Sequence, residues 1–294
     1  MSNFIKTFLI LFLIVPATTF GYEFSAMTLN VDNLFDTLDD IRKDDKAYLP
    51  IEFKQSEAHK KSCNRIRVNS WKNECLYLDW NEETKNAKLK NIANSIISYG
   101  QNGPDIIALQ EVENNNILSQ LLELLKPYGY IDSVLIEGKD YRGIDTALIS
   151  RFKIVDSTLH YIKFSGEFEG KDTRPILDAT IEVNGDKLKI YNVHFPSGFH
   201  DVSMRIDSLN VLSGLLNRHN YPTIALGDFN VNTKEDRKLN IYKSQEIYWS
   251  VAHIYACDDC KGSFYYNYGK TWEFLDTIFL SKDRGILYLS LIHI

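Results

Sequence analysis

The sequence has no surplus of positive charge, no long apolar run and no internal repeat. Lysine and arginine number 33 against 39 aspartates and glutamates, a formal net charge of −6. That balance argues against a protein that holds nucleic acid by bulk electrostatics alone, since phosphate neutralisation needs a basic surface. It does not exclude a local basic groove beside an acidic metal site. The apolar run Phe8 to Val15 falls short of the roughly 20 residues a membrane-spanning helix needs. With no low-complexity tract or linker either, the 294 residues read as one large domain. Hydrophobic residues at 44% and charged residues at 24% can fill a sizeable core.

What the N-terminus does have is a pattern. Lys6 precedes the apolar run, and Pro16, Ala17 and small or polar residues lead to Gly21. That is the layout of a secretory signal, with cleavage expected between Ala17 and Tyr22. An uncleaved anchor is the alternative. Residues 1–21 are therefore set aside from the fold, and the mature chain is expected to be secreted or periplasmic, without a stable membrane span. Export makes the four cysteines readable. In an oxidising compartment an even count favours disulfides, here Cys63–Cys75 and Cys257–Cys260. A four-thiolate zinc site is the rival, but the eleven residues between Cys63 and Cys75 are wide of the usual two to four.

Strands and helices interleave along the rest. Phe24 to Val31 alternates as a strand. Asp36 to Thr84 is polar, with no clear period, and reads as a long excursion pinned by the first cysteine pair. Ala87 to Ile97 has apolar residues at helical spacing, ended by Gly100 and Gly103-Pro104. Ile106 to Leu109 reads as a strand and Ile117 to Leu125 as a helix. Thr146 to Ser150 and Ile176 to Val183 follow as strands. Asn184-Gly185 is a two-residue hairpin turn that pairs Leu188 to Val193 back onto the preceding strand. Met204 to Leu216 is helical, while Thr223 to Leu226 and Phe274 to Leu280 are strands. The expected fold is α/β, with two packed sheets flanked by helices.

Polar groups recur just past the apolar strands: Asn30, Glu111, His194, Asp228, Asn230 and Asp276. Any one of them is explained by turn chemistry. Six such residues of mixed Asn, Glu, His and Asp, at five strand ends where scaffolds present catalytic groups, suit phosphate hydrolysis.

The ordered blocks TLNVDNLF, DIIALQEVEN, RGIDTALISR, NVHFPSG, ALGDFN and WEFLDTIFLS resemble the endonuclease/exonuclease/phosphatase family, which includes deoxyribonuclease I and the apurinic endonucleases. The resemblance spans Glu23 to Ser281 and implies a two-sheet α/β sandwich, with the domain placed at 22–288. It implies that Glu111 is the metal-binding glutamate, for Mg²⁺ or alternatively Mn²⁺ or Ca²⁺, with Asn30 beside that metal and near the phosphate. His194 would donate to the phosphoryl oxygens. Asp228 and Asn230 would position the attacking water, and Asp276 would orient a catalytic histidine. Arg142 and Arg174 lie in loops where they could hold phosphate, a surface salt bridge being the alternative for each.

The family pattern continues with a Ser-Asp-His block that this chain does not carry. The chain ends at Ile294, 18 residues past Asp276 (276 to 294), and His293 lacks the preceding Ser-Asp. A truncated chain is therefore expected, with residues 289–294 (LSLIHI) a foreign tail. The implied activity is metal-dependent hydrolysis of a phosphodiester, foremost nucleic acid, outside the cytoplasm. A sphingomyelinase-like lipid phosphodiesterase is the rival within that class, and a binding protein without turnover the rival outside it. Phe264 to Tyr266, the one obvious membrane-entering segment, is expected to be a buried strand.

Overall fold

Twenty regular elements follow from the alternation of apolar runs and caps in a computed structural model that describes residues 23–282 except 101 and 258. The expected signal segment at 1–21 and the expected foreign tail at 289–294 lie outside the described residues. In chain order the elements begin β1 (Ala26–Leu34), α1 (Glu57–Cys63), α2 (Asn69–Tyr77), α3 (Glu82–Ile97), β2 (Ile106–Val112) and α4 (Asn115–Leu125). They continue β3 (Asp132–Leu135), β4 (Asp145–Ser150), β5 (Lys153–His160), β6 (Ile176–Val183), β7 (Asp186–His194), α5 (Val202–Leu215) and β8 (Thr223–Asp228). The last are α6 (Thr233–Leu239), α7 (Ile241–Ser244), β9 (Trp249–Val251), α8 (Ala252–Tyr255), β10 (Phe264–Tyr266), β11 (Thr271–Glu273) and β12 (Asp276–Ser281).

The strands form two mixed sheets and a small ribbon. One sheet has the order β1-β2-β4-β3, the other β5-β6-β7-β8-β12-β9, and β10-β11 pair alone. In each large sheet one pair is parallel, β1 with β2 and β7 with β8. The Asn184-Gly185 turn joins β6 to β7 as the sequence predicts, with Val183 opposite Asp186. Alternate residues of β2 face opposite ways. Ile106 and Ala108 meet Ala179, Ile190 and Leu226 of the larger sheet, whereas Ile107 and Leu109 pack under Ile92 and Ile96 of α3 and Leu121 of α4. The far face of the larger sheet is covered by α5 through Leu209, Leu212 and Leu215. The central strands β2, β4, β6, β7 and β8 are thus buried on both faces, which explains why they read as unbroken apolar runs. Fully burying one such Ile or Leu contributes about 1.5–3 kcal/mol.

The excursion from Asp36 to Thr84 is more ordered than its composition predicts, since α1 and α2 lie within it. No apolar stripe announced them because its centre is polar. Lys54 is buried and donates to the carbonyl oxygens of Ala47 (2.6 Å) and Leu78 (2.7 Å). Burial pushes its ammonium down to about 8. The Cys63–Cys75 disulfide, buried between α1 and α2, supplies the covalent tie, and a second disulfide joins Cys257 to Cys260.

Candidate active site

Strands of both sheets end at one place. Beneath it, a buried amide pair ties the sheets together: Gln110 Nε2 donates to Asn192 Oδ1 (2.7 Å), and Asn192 Nδ2 donates to the carbonyls of Leu109 (2.9 Å) and Ala147 (2.8 Å). These bonds fix β2 against β7 directly below Glu111 and His194. An unpaired amide at this depth would cost about 1–3 kcal/mol, so each partner holds the other in place.

Above the amide pair the ladder breaks. Asn30 still pairs with Gln110, but the next matched pair is Leu34 with Val112, so Val31–Asn33 and Glu111 bulge from their strands. Asp32, Asn33 and Glu111 take left-handed backbone, with φ of 53°, 63° and 67°. Non-glycine residues rarely sit there, and such strain clusters where a side chain must be aimed. The result is a cradle for one carboxylate. Asn33 N donates to Glu111 Oε2 (3.0 Å), and Asn30 Nδ2 donates to Glu111 Oε1 (3.3 Å) and to Asp228 Oδ2 (3.2 Å). Asp32 N donates to Asn30 Oδ1 (2.9 Å), which fixes which end of the amide faces the carboxylates.

The other wall comes from β7, β8 and β12. His194 pairs across the ladder with Asp228, and Asp228 with Asp276. His194 Nε2 lies 3.7 Å from both Glu111 Oε1 and Asp228 Oδ2, too far for direct hydrogen bonds and open to an intervening group. Asn230, also left-handed at φ 54°, donates its backbone N–H to Asp228 Oδ1 (2.9 Å) and its Nδ2 to the Phe195 carbonyl (3.0 Å). Gly227 makes the close approach possible, because a Cβ there would meet the Val193 carbonyl oxygen at 2.0 Å.

Burial dominates the electrostatics. It pushes Asp228 well above the usual carboxylate range, with the Asp276 charge adding to it, and raises Asp276 as well. Two carboxylates this close retain a shared proton. Burial also drives His194 well below its ordinary value, with Arg174 and Arg142 reinforcing the effect, so the imidazole is neutral at pH 7. Asp276 Oδ1 and His194 Nδ1 are buried without partners among the described residues.

This donor set fits a hard divalent cation. Its atoms are the carboxylate oxygens of Glu111 and Asp228, held by the Asn30 amide N–H, and a positive charge would relieve the repulsion between Asp228 and Asp276. Magnesium needs only one or two carboxylates besides water. Among the described residues, the one group of three His, Cys, Asp or Glu ligand atoms within 4.8 Å of each other is His59, Cys63 and Cys75. Its two sulfurs are bonded to each other, so it offers no thiolate site.

The structure brings Asn30, Glu111, His194, Asp228, Asn230 and Asp276 together. It separates the two arginines. Arg174 is buried and acts as a brace, with Nε donating to the His194 carbonyl (3.2 Å), Nη2 to Phe195 O (3.1 Å) and Nη1 to Asp140 Oδ2 (3.2 Å). Three of its five N–H donors are thus used within the protein, and its charge lies beside His194. Arg142 is exposed nearby, its backbone fixed by Asp140 Oδ1 at 2.9 Å. Asp276 makes no bond to His194 among the described residues; its own N–H donates to Ser263 Oγ (2.9 Å). Phe264 to Tyr266 is a strand but an exposed one, because the ribbon lies off the large sheets. Sequence reasoning did not single out Gln110, Asn192 or Lys88. The last donates to the Asp32 carbonyl and holds the bulged loop. A Gln and an Asn inside apolar strands were the available signal for the first two.

The sequence pattern of the endonuclease/exonuclease/phosphatase family matches residues 69–282. No curated protein sequence matches. Among solved structures, a β-hairpin deletion mutant of beta toxin from Staphylococcus aureus is 16% identical, covering 90% of this chain and 89% of that chain at a TM-score of 0.53. An endonuclease/exonuclease/phosphatase family protein from Leptotrichia buccalis is 22% identical, covering 70% and 84% at 0.52. The mannosyl-6-phosphatase of Bacteroides thetaiotaomicron is 18% identical, covering 67% and 78% at 0.51. At these identities the likeness is one of fold, the two-sheet α/β sandwich.

Proposed function

We propose, for a chain that belongs to the endonuclease/exonuclease/phosphatase family of phosphoric ester hydrolases, that the bond it cleaves is a phosphodiester of nucleic acid outside the cytoplasm. The observation that carries this reading is the convergence of Glu111, Asn30, His194, Asp228 and Asn230 on one point at the strand ends of both sheets. Glu111 would hold a divalent cation such as Mg²⁺, with Asn30 beside it. The cation supplies charge stabilisation to the phosphoryl oxygens.

The residues do the rest. Asn30 keeps the Glu111 and Asp228 carboxylates at a fixed separation. With a cation beside the pair, Asp228 would give up the shared proton and so could take one from water as the water oxygen bonds to phosphorus, the ester P–O bond breaks and solvent protonates the leaving oxygen. Asn230 spends its Nδ2 on Phe195, which leaves Oδ1 to accept a water proton. Neutral His194 donates from Nε2 to a phosphoryl oxygen. Arg142 is the exposed cation available to a phosphate, while the buried Arg174 adds its charge beside His194. Export is supported by the N-terminal pattern and the two disulfides.

Cleavage of plasmid DNA with Mg²⁺, with chelator, and in Glu111→Ala tests this reading. Magnesium-dependent cleavage lost in the variant supports it. Absence of cleavage by the unaltered chain, with turnover of lipid or sugar phosphates instead, replaces it. A lipid phosphodiester is the second reading, favoured by the exposed aromatic ribbon β10–β11.

A further inference from the structure

The ribbon β10–β11 has strands of only three residues each, a size that is marginal without support. Its rings nonetheless face water: Phe264 and Trp272 are each 45% exposed and Tyr268 is 92% exposed. An aromatic patch left in solvent marks a binding surface. Tyr265 and Trp272 are cross-strand partners with ring centroids 5.2 Å apart, a platform already arranged.

Between this ribbon and α6 runs an open groove of about 710 Å³, lined by Trp272, Lys234, Arg237, Lys238 and Lys261. Glu273 also lines the groove, and the acidic groups here are held within the protein. Glu235 pairs with Arg205, Asp236 Oδ1 accepts from Tyr242 N (2.8 Å), and Glu273 accepts from Thr233 N (2.7 Å) and Thr271 Oγ1 (3.2 Å). Lys234, Lys238 and Lys261 make no ion pair among the described residues. A chain of net charge −6 thus gathers cations opposite an exposed indole.

We propose that this groove binds single-stranded nucleic acid and leads it into the hydrolytic centre, with the four cations holding phosphates and Trp272 stacking a base. The proposal deepens the nuclease reading and rests on it. Both walls start close to the centre: Thr233 lies three residues after Asn230 (230 to 233), and Glu273 three before Asp276 (273 to 276). Three extended residues reach at most about 11 Å. The bond from Thr233 N to Glu273 joins the walls at that end. A membrane would instead favour a convex apolar tip, whereas the turn here carries Asn267, Gly269 and Lys270 with Tyr268, and the cations line a concave wall.

The test is fluorescence anisotropy of a labelled oligothymidylate of about twelve nucleotides with the full chain, in chelator and across a salt series. The Lys234→Ala/Lys238→Ala/Lys261→Ala variant should bind at least about tenfold more weakly. Its log K against log salt should be flatter by about 2, at roughly 0.7 per cation for a single strand. Trp272→Ala should lose on the order of 5- to 100-fold, and Trp272→Phe should recover most of it. Hydrolysis of bis(p-nitrophenyl) phosphate, too small to span the groove, should be unchanged in every variant. Oligonucleotide affinity and salt slope unaltered by these changes overturn the proposal. So does loss of binding to phosphatidylglycerol vesicles in Trp272→Ala with oligonucleotide affinity intact, which hands the ribbon to a membrane. If the unaltered chain fails to hydrolyse the small diester, the phosphodiesterase reading falls, while the anisotropy, measured without turnover, still decides the groove.

Discussion

Glu111 and Glu113 sit two positions apart (111 to 113) at the end of β2, and their surroundings could hardly differ more. Glu111 leaves the ladder on a left-handed backbone and presents its carboxylate to the point where two sheets end. Glu113 turns into the protein, where its Oε2 accepts from Asp36 N (2.7 Å). Asp36 in turn accepts from Asn114 Nδ2 (3.1 Å) and Asn116 Nδ2 (2.7 Å). Burial, with the charges of Asp36, Asp45 and Asp40, pushes Glu113 up to about 8. One carboxylate is supported by an amide yet left reachable, and its neighbour is closed in and kept protonated. Proximity in sequence therefore says little about surroundings; the backbone bulge at Glu111 decides which carboxylate reaches the point where the two sheets end.

The largest effect should come from removing the reachable one. Glu111→Ala is expected to lower Mg²⁺-dependent phosphodiester hydrolysis by about 10³-fold or more, read as kcat/KM, whereas Glu113→Gln stays within a few-fold of the unaltered chain. Comparable losses in both would erase the distinction. Next comes the amide between the carboxylates. Asn30→Ala is expected to cost roughly 10–100-fold in activity or apparent Mg²⁺ affinity, measured by metal titration, because Glu111 and Asp228 lose their common donor. Asp276→Asn should shift the acid limb of the kcat/KM profile to lower pH, since it removes the charge that raises Asp228; an unmoved limb would separate Asp228 from the titration.

The smallest effect is on stability. Glu113 has a folded pKa above its unfolded value of 4.5, so its contribution is fully present below about pH 4.5 and is lost as pH rises through about 8. Glu113→Gln keeps an acceptor for Asp36 N and removes the charge. Its Tm should match the unaltered chain near pH 4.5 and exceed it by several degrees at pH 9, at roughly 2 °C per kcal/mol for a domain of this size. A Tm difference independent of pH would show that the carboxyl does not titrate as its surroundings demand.

Much of this contrast was legible before the fold was known. The apolar runs of β2, β6, β7 and β8 and the Asn184-Gly185 turn are strong local signals, because strands buried on both faces have little freedom in composition. Asn30, Glu111, His194, Asp228, Asn230 and Asp276 stand at strand ends, and the structure gathers them. Other features depend on partners distant in sequence. Arg174 reads as a loop cation but is buried and braced on the His194 and Phe195 carbonyls, which only tertiary folding brings to it. The helices α1 and α2 are built around an ammonium and a disulfide, so no hydrophobic period marks them. The ribbon β10–β11 has the composition of a core strand and lies in solvent, since composition cannot say whether a neighbour exists to cover it.

The strand order of the larger sheet has a consequence for how the protein is made. The strand β12 lies between β8 and β9 although it is the last of the three to leave the ribosome. Until residue 281 emerges, β8, with Asp228 at its end, has β7 on one side and an open row of amides on the other. A nascent chain in that state can neither complete its sheet nor assemble the Asp228–Asp276 pair. It is also at its most prone to pair with a neighbouring chain. Chaperone holding during synthesis would therefore protect this interval, and assembly of the site should come only with β12 rather than growing by stages.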